Sequence, residues 1–356
     1  MTINVILDKM IEAKASDIFI RINSVLRARI NTFVMPVAEE IFTKENIEQL
    51  VKDLTDERAK KNLQENRSCE FAFYYKDRWR FRVGIFYQRD SLALVIRKID
   101  LDIPRFEALN LPAKVLEKFC LERRGIILLT GITGSGKSTT IASMIDYMND
   151  RQSKHILAIE EPIEFTFKDK KCLINQREIG VDVHSYADAL RQFALHSPDV
   201  IYVGNVRDAD TCYAALTAAE TGVMVVSTLH TVNAASTIER IINFFPPHQH
   251  ELILTQLSTL LKGVISLRLI PRADGKGMVP AYEIMTLSPS ISRLIRENKI
   301  WEIPKYMEKG DVYGMNTFNQ CLIRLCEEGK ITSEASLEYT DRREELEMEL
   351  RNRNLI

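Results

Sequence analysis

Apolar positions in the first hundred residues follow two rhythms. Ile6, Met10 and Ile11 begin a helical spacing, and Asp17-Ile-Phe-Ile-Arg-Ile then reads as a strand. Residues 44–64 read as one polar helix with Ile47, Leu50, Val51 and Leu54 on a single face. Arg78-Trp-Arg-Phe-Arg-Val83 alternates strictly, so Arg78, Arg80 and Arg82 share one sheet face and Trp79, Phe81 and Val83 the other. A further strand, Leu92–Ile96, ends at Arg97. The arginine row has two readings, a solvated or Glu-paired face and an anion-facing surface.

Residues 104–120, which carry Pro104 and Pro112, read as a linker with a short helix, leaving 1–103 as an N-terminal α+β domain. From 121 to 280 apolar runs alternate with helical patterns. Gly125–Thr130, Ile156–Ile159, Val200–Val203 and Val223–Ser227 are the expected core strands of an α/β domain with a mainly parallel sheet. From 281 to 356 the pattern is helical. It closes on Thr340–Arg353, rich in Glu and Arg, as an exposed helix with i,i+4 pairs.

Composition narrows the class without choosing a function. The 356 residues are 46% hydrophobic and 27% charged, and 48 basic against 49 acidic side chains leave a net charge of −1. That is a soluble globular composition, with no global field to attract nucleic acid or an anionic membrane. The 6 cysteines are scattered with no CxxC pair, which suits buried thiols in a reducing cytosol and not a zinc site. No secretory signal opens the chain, and no apolar run reaches the ~18 residues of a membrane span. A cytoplasmic protein is expected, with any membrane association made through a partner. His248-Gln-His250 reads as a surface turn.

One stretch carries specific chemistry. The strand Gly125–Thr130 runs into Gly131-x4-Gly136-Lys137-Ser138, and Ile141, Met144, Ile145 and Met148 then mark one face of a helix. Glycines let backbone N–H groups curl around phosphates where a side chain would collide, and the helix N-terminus adds its positive dipole end. Lys137 supplies a point charge for the β and γ phosphates, and the Ser138 hydroxyl ligates Mg2+. A nucleoside triphosphate is the expected ligand, held by Thr133, Gly134, Ser135, Gly136, Lys137, Ser138 and Thr139.

Glu160, Glu161 and Glu164 follow the next strand, at the rim where parallel sheets bind ligands. The run from Val223 ends at His230, which is placed either to sense a γ-phosphate or to serve the fold. The strand Val200–Val203, which should deliver a carboxylate to the metal, delivers Gly204 and the neutral amide Asn205.

In order and spacing, "ASD" (15–17), "GITGSGKSTT", "AIEEPIEF", "NQREIG", "VRDADT", "LTAAETG", "STLHT", "ISRLIREN" and "YGMNTFNQCL" resemble the type II/IV secretion ATPase superfamily, and within it the type IV pilus retraction ATPases. The resemblance covers nearly the whole chain. It implies a PAS-like N-terminal domain and a RecA-like P-loop ATPase core, with ATP and Mg2+ as cofactors. It also implies a homo-hexameric ring at the cytoplasmic base of the pilus machine, held peripherally at the inner membrane by a platform protein.

On this resemblance Glu160 and Glu161 form the Asp box, Glu164 is the catalytic glutamate and His230 the His-box histidine. Gly204 and Asn205 occupy the Walker B position, and Arg82 and Arg97 are arginines offered to bound nucleotide. The "ISRLIREN" stretch resembles a motif tied to retraction, and the four-cysteine zinc module of extension relatives is absent. Three departures are expected around the γ-phosphate: Asn205 for a glutamate, Leu195 for an arginine and Val223 for a histidine.

The expected function is therefore an ATP-driven motor subunit that powers pilus retraction and twitching motility. Its hydrolysis is slowed because an amide cannot neutralise or hold Mg2+ as a carboxylate does. By analogy with deleted preorganised donors, the loss is worth ~3–4 kcal/mol of transition-state stabilisation. The alternative is an ATP-binding, weakly hydrolysing or non-hydrolysing accessory subunit that works with an active paralogue. A nucleic-acid motor would need a basic channel with stacking aromatics, which near-neutral charge and this motif set argue against.

Overall fold

The computed structural model describes residues 1–30, 33–76, 78–99 and 102–356, with the backbone alone at 193 and 194. The chain divides into two compact units, Met1–Asp102 and Ile103–Ile356.

In the first unit, alternation along the strands builds one sheet with two unlike faces. It contains α1 (Ile3–Glu12), β1 (Asp17–Arg21), β2 (Val25–Ile30), β3 (Phe33–Ile41), α2 (Lys44–Leu54), α3 (Glu57–Asn66), β4 (Ser68–Tyr75), β5 (Trp79–Gln88) and β6 (Ser91–Ile99). The strands pair antiparallel in the order β3-β2-β1-β6-β5-β4. Ile18, Ile20, Phe81, Val83, Ile85, Leu94 and Ile96 bury against Ile6, Met10, Ile47, Leu50 and Leu63 of the helices. The stretch 44–64 is two helices and not one, because Asp56 caps α3 by accepting from Ala59 N at 2.7 Å.

Across the other face, Arg29, Asp17, Arg97 and Arg82 stand in register on β2, β1, β6 and β5. Asp17 is buried there and accepts from Arg97 Nε at 2.7 Å, with Arg29 Nε at 3.2 Å and the Ser16 hydroxyl at 2.8 Å. Burial alone would raise its pKa. The hydrogen bonds from Arg97 and Ser16 and the charges of both arginines outweigh burial and hold it below the usual carboxylate range. Arg82 pairs with Glu70, and Arg80 is buried with its guanidinium over the Tyr74 ring. The solvated-arginine reading therefore fails for Arg80.

The second unit is α/β. It contains α4 (Ala113–Leu121), β7 (Gly125–Thr130), α5 (Lys137–Arg151), β8 (His155–Glu160), β9 (Leu173–Glu178), α6 (Tyr186–Arg191), α7 (Phe193–His196), β10 (Val200–Val203), α8 (Ala209–Glu220), β11 (Met224–Leu229), α9 (Ala234–Ile242) and α10 (His250–Leu260). The hairpin β12 (Leu261–Pro271) and β13 (Met278–Thr286) follows. Five helices complete the chain: α11 (Pro289–Arg296), α12 (Ile303–Met307), α13 (Phe318–Glu327), α14 (Ser333–Tyr339) and α15 (Arg343–Asn352).

The sheet order is β13-β12-β7-β11-β10-β8-β9, parallel throughout except for β13. Both faces are covered, so the central strands are continuously apolar and do not alternate. Ile127 and Leu129 of β7 pack with Ile141, Met144 and Ile145 of α5, while Ile126 and Leu128 pack with Leu216, Ile238 and Leu257 of α8, α9 and α10.

From the sequence, neither β2, β3 and β4 of the first unit nor three strands of the second were expected. β9 (LINQRE) is half polar and lies at the sheet edge, while β12 and β13 form a hairpin that carries the sheet past residue 280. The segment beyond 280 is thus not purely helical, and residue 280 lies inside β13. Residues 104–120 are packed and not extended, since Phe106, Leu111, Leu116 and Phe119 belong to the core of the second unit. His248 and Gln249 lie in a short 3-10 turn, and His250 begins α10.

Because Asp17 is depressed in the folded state, its contribution to stability is present above the ordinary carboxylate value and lost as pH falls through the folded value. Asp17→Asn should destabilise the first unit at pH 7 and remove part of its sensitivity below about pH 4. Chemical denaturation followed by Trp79 fluorescence, in a Trp301→Phe background, measures both. Equal acid sensitivity in the two proteins would contradict the assignment.

Candidate active site

The loops at the exits of β7, β11, β10 and β8 share one edge of the sheet, because these strands run the same way in the order β7-β11-β10-β8. Gly131 leaves β7 with φ 141°, where an added Cβ would lie 2.4 Å from Leu267 O, so only glycine fits. Residues 133–136 then curl into α5, and Ser138 and Thr139 sit half-buried in its first turn. Lys137 is 7% exposed, and its ammonium donates to Gly131 O at 2.7 Å and Ile132 O at 2.9 Å. Burial lowers its pKa, and the carboxylate of Glu164 opposes that shift. The Ser135 hydroxyl is buried inside the same loop with no hydrogen-bond partner.

At the exit of β8, Glu160 is buried and accepts from Gln176 Nε2 at 3.0 Å. Gln176 also donates to Phe165 O at 2.7 Å and accepts from Phe167 N at 3.2 Å, so one side chain of β9 pins the segment carrying Glu164. Glu161 pairs with Arg207 at 3.1 Å, and Glu164 itself is exposed. Gln176 and Arg207 were not singled out in the sequence; the motifs "NQREIG" and "VRDADT" contain them, but their partners become visible only in the fold.

At the exit of β10, Gly204 is held by close packing: a Cβ there would lie 2.8 Å from the Tyr186 hydroxyl and 3.2 Å from Ile159 O. Its carbonyl accepts from Thr228 Oγ1 of β11 at 2.6 Å, which locks the two strand exits together. Asn205 is 6% exposed, and its Oδ1 has no hydrogen-bond partner. Asp208 is used locally, accepting from Thr211 N at 2.8 Å to cap α8.

His230 follows β11 and is exposed. Partial burial, then the charges of Lys137 and Arg207, lower its pKa below the ordinary histidine value. Its imidazole is therefore neutral at pH 7, with one nitrogen free to donate.

Two of the three expected departures do not belong at this edge. Val223 precedes β11, and its carbonyl accepts from Gly125 N at the entry of β7. A strand of this length puts its two ends roughly 20 Å apart, so Val223 and His230 lie on opposite edges of the sheet. Leu195 lies on α7, which leads into the entry end of β10, and is 84% exposed. Asn205 alone of the three lies at the strand exits. Arg82 and Arg97 are cross-strand neighbours in the first unit, engaged by Glu70 and Asp17 respectively. Among the described residues, no group of three His, Cys, Asp or Glu side chains is arranged to hold a metal ion.

A family model described as "Type II/IV secretion system protein" matches residues 1–296. The chain belongs to that family. It is 37% identical over 339 residues to the type IV pilus ATPase PilU of Pseudomonas aeruginosa, spanning 95% of this chain and 88% of that one. It is 40% identical over 292 residues to the pilus retraction ATPase PilT of the same organism, spanning 82% and 84%. The crystal structure of the pilus retraction motor PilT with bound ADP superposes with a TM-score of 0.92 at 42% identity, covering 98% of this chain and 99% of that one. These relatives place the chain among the type IV pilus ATPases, with the α/β fold of PilT.

Gly204→Ala should overpack the junction of β8, β10 and α6 at a cost of about 1–3 kcal/mol. It should lower ATP turnover, and adding Tyr186→Phe, which removes the clashing hydroxyl, should recover part of the loss. Turnover of the single and double variants checks this, and absence of any recovery would contradict it.

Proposed function

We propose that this chain is an ATP-hydrolysing motor subunit of a hexameric ring that powers type IV pilus retraction, and that its turnover is slowed by Asn205. What carries this reading is the phosphate loop meeting the exits of β8, β10 and β11 on one edge, in a chain whose relatives are named pilus ATPases.

We read the second unit as RecA-like, with the strand order β12-β7-β11-β10-β8 as its core, and the first as PAS-like. The loop N–H groups and the N-terminus of α5 bind the phosphates, and Lys137 exchanges its two carbonyl contacts for phosphate oxygens. The donors present fit Mg2+: the Ser138 hydroxyl in the first turn of α5 would hold the ion, and the partnerless Asn205 Oδ1 would offer it a further oxygen, directly or through water. When bound, the ion neutralises charge on the β and γ oxygens.

Glu164 orients and deprotonates the attacking water, with Gln176 holding its segment and Glu160 in place. Neutral His230 donates to the γ-phosphate. Asn205 orients water but contributes no charge, which lowers turnover and leaves binding intact. Arg82 and Arg97 complete a nucleotide site in the ring. The motor works at the cytoplasmic face of the inner membrane against a platform protein, without nucleic acid. No helix among the described residues is long and apolar enough to cross a membrane. The neutral amide at 205 also supports a second reading, a weakly hydrolysing subunit that joins an active paralogue in the ring.

Steady-state ATPase and nucleotide binding test the proposal. Lys137→Ala should lose both, whereas Glu164→Gln should lose about 100-fold or more in kcat with affinity kept. A parent no faster than Lys137→Ala would leave only the accessory reading. His230→Gln should lower kcat while leaving nucleotide affinity within a fewfold of the parent. An unchanged kcat would remove His230 from the mechanism.

A further inference from the structure

The loop that follows His230 is fastened from behind by groups that the hydrolysis scheme leaves unused. A polar row crosses three neighbouring strands: Thr130 on β7, Ser266 on β12 and Glu283 on β13 stand in register. The Thr130 hydroxyl donates to Ser266 Oγ at 2.8 Å. Glu283, nine-tenths buried, accepts from Ala234 N at 2.8 Å at the first residue of α9. Asn233 caps the same helix by accepting from Ser236 N at 2.8 Å. The start of α9 is thus held from two sides, and only Thr231, Val232 and Asn233 separate it from His230.

Arg268, two residues beyond Ser266 on β12, ties that short loop to the end of the chain. Its Nη2 donates to Val232 O at 3.2 Å and pairs with Asp341, and its Nη1 donates to Tyr339 O at 2.6 Å. The guanidinium also lies 4.0 Å from the ring centroid of Phe318. One side chain, 15% exposed, therefore touches the loop after His230, α13, the last residue of α14 and the turn before α15. The planar fork of arginine suits this task, since it serves a carboxylate and two carbonyls in fixed directions while stacking on an aromatic ring. A cavity of about 60 Å³, lined in part by Asn233, Glu283, Phe318, Asp341 and Arg342, lies between the start of α9 and these helices.

We propose that Arg268 is a positioning residue for ATP hydrolysis, linking the Thr231–Asn233 loop, and so His230, to the C-terminal helices α13–α15. Movement of those helices then changes how His230 meets the γ-phosphate, and nucleotide bound at His230 biases the helices in return. This rests on the role given above to His230.

The test compares the full-length parent with His230→Gln, Arg268→Lys and the double variant by kcat, KM for ATP, nucleotide affinity and thermal unfolding. Lysine keeps the charge and loses the fork. Arg268→Lys should lower kcat about tenfold, with KM and affinity within about twofold of the parent, the size expected from a misplaced catalytic group. The double variant should be no slower than His230→Gln, because residues that act through one another are not additive.

Parent kcat in Arg268→Lys, or losses that multiply in the double variant, would overturn the link while leaving the role of His230 intact. If His230→Gln itself keeps the parent kcat, both that role and the link fall. Should Arg268→Lys fail to fold, Asp341→Asn releases Arg268 from the C-terminal turn and is measured against the same outcomes.

Discussion

Parallel strands have a direction, and laying β12, β7, β11, β10, β8 and β9 side by side sends the loop after each one to the same edge. The chemistry of the second unit depends on that constraint. Helices on both faces bury the strands, so the strands cannot slide without exposing Ile127, Leu129, Ile159 or Val203 to water. Fixed strands fix their exits, and hydroxyls stitch neighbouring exits together: Ser227 to Val203 O, Thr228 to Gly204 O and Thr130 to Ser266. The phosphate loop, the Glu160–Glu164 segment, Asn205 and His230 are held on one rigid rim and not on independent loops.

That rim is electrostatically unbalanced in an informative way. Partial burial first, and then two cations, Lys137 and Arg207, lower the pKa of His230. Arg207 is partly answered by Glu161, and Lys137 feels the more distant carboxylate of Glu164. At the buried exit of β10, Asn205 presents an oxygen with no protein partner. A buried carbonyl oxygen left without a donor costs free energy unless a ligand, a water or an ion meets it. On the function proposed above, the amide oxygen of Asn205 meets such a partner when nucleotide is bound.

Much of this was legible in the sequence because the signals were local. The strand–loop–helix of the phosphate loop, the alternation in β5 and the acid cluster after β8 each lie within one short continuous stretch of chain. What the sequence hid was set by distant partners. β9 is half polar because it is an edge strand, and its Gln176 matters only through Glu160 and Phe165. Arg80 alternates with apolar neighbours like an exposed residue, yet it is buried with its guanidinium over the Tyr74 ring. Val223 and Leu195 read in sequence as neighbours of the γ-phosphate because they flank motifs assigned to it, but position before or after a strand decides the edge, and both precede theirs. The link through Arg268 spans 73 residues to Asp341, a pairing no periodicity reveals.

The most direct measurement is single-turnover cleavage of ATP prebound with Mg2+ by the assembled protein, comparing the parent with Asn205→Glu. If the neutral amide limits chemistry on an otherwise complete rim, the parent cleaves slowly and the glutamate variant about 100-fold or more faster, with similar nucleotide affinity. Equal rates in the two, or a glutamate variant that cleaves no ATP, would contradict the role assigned to Asn205.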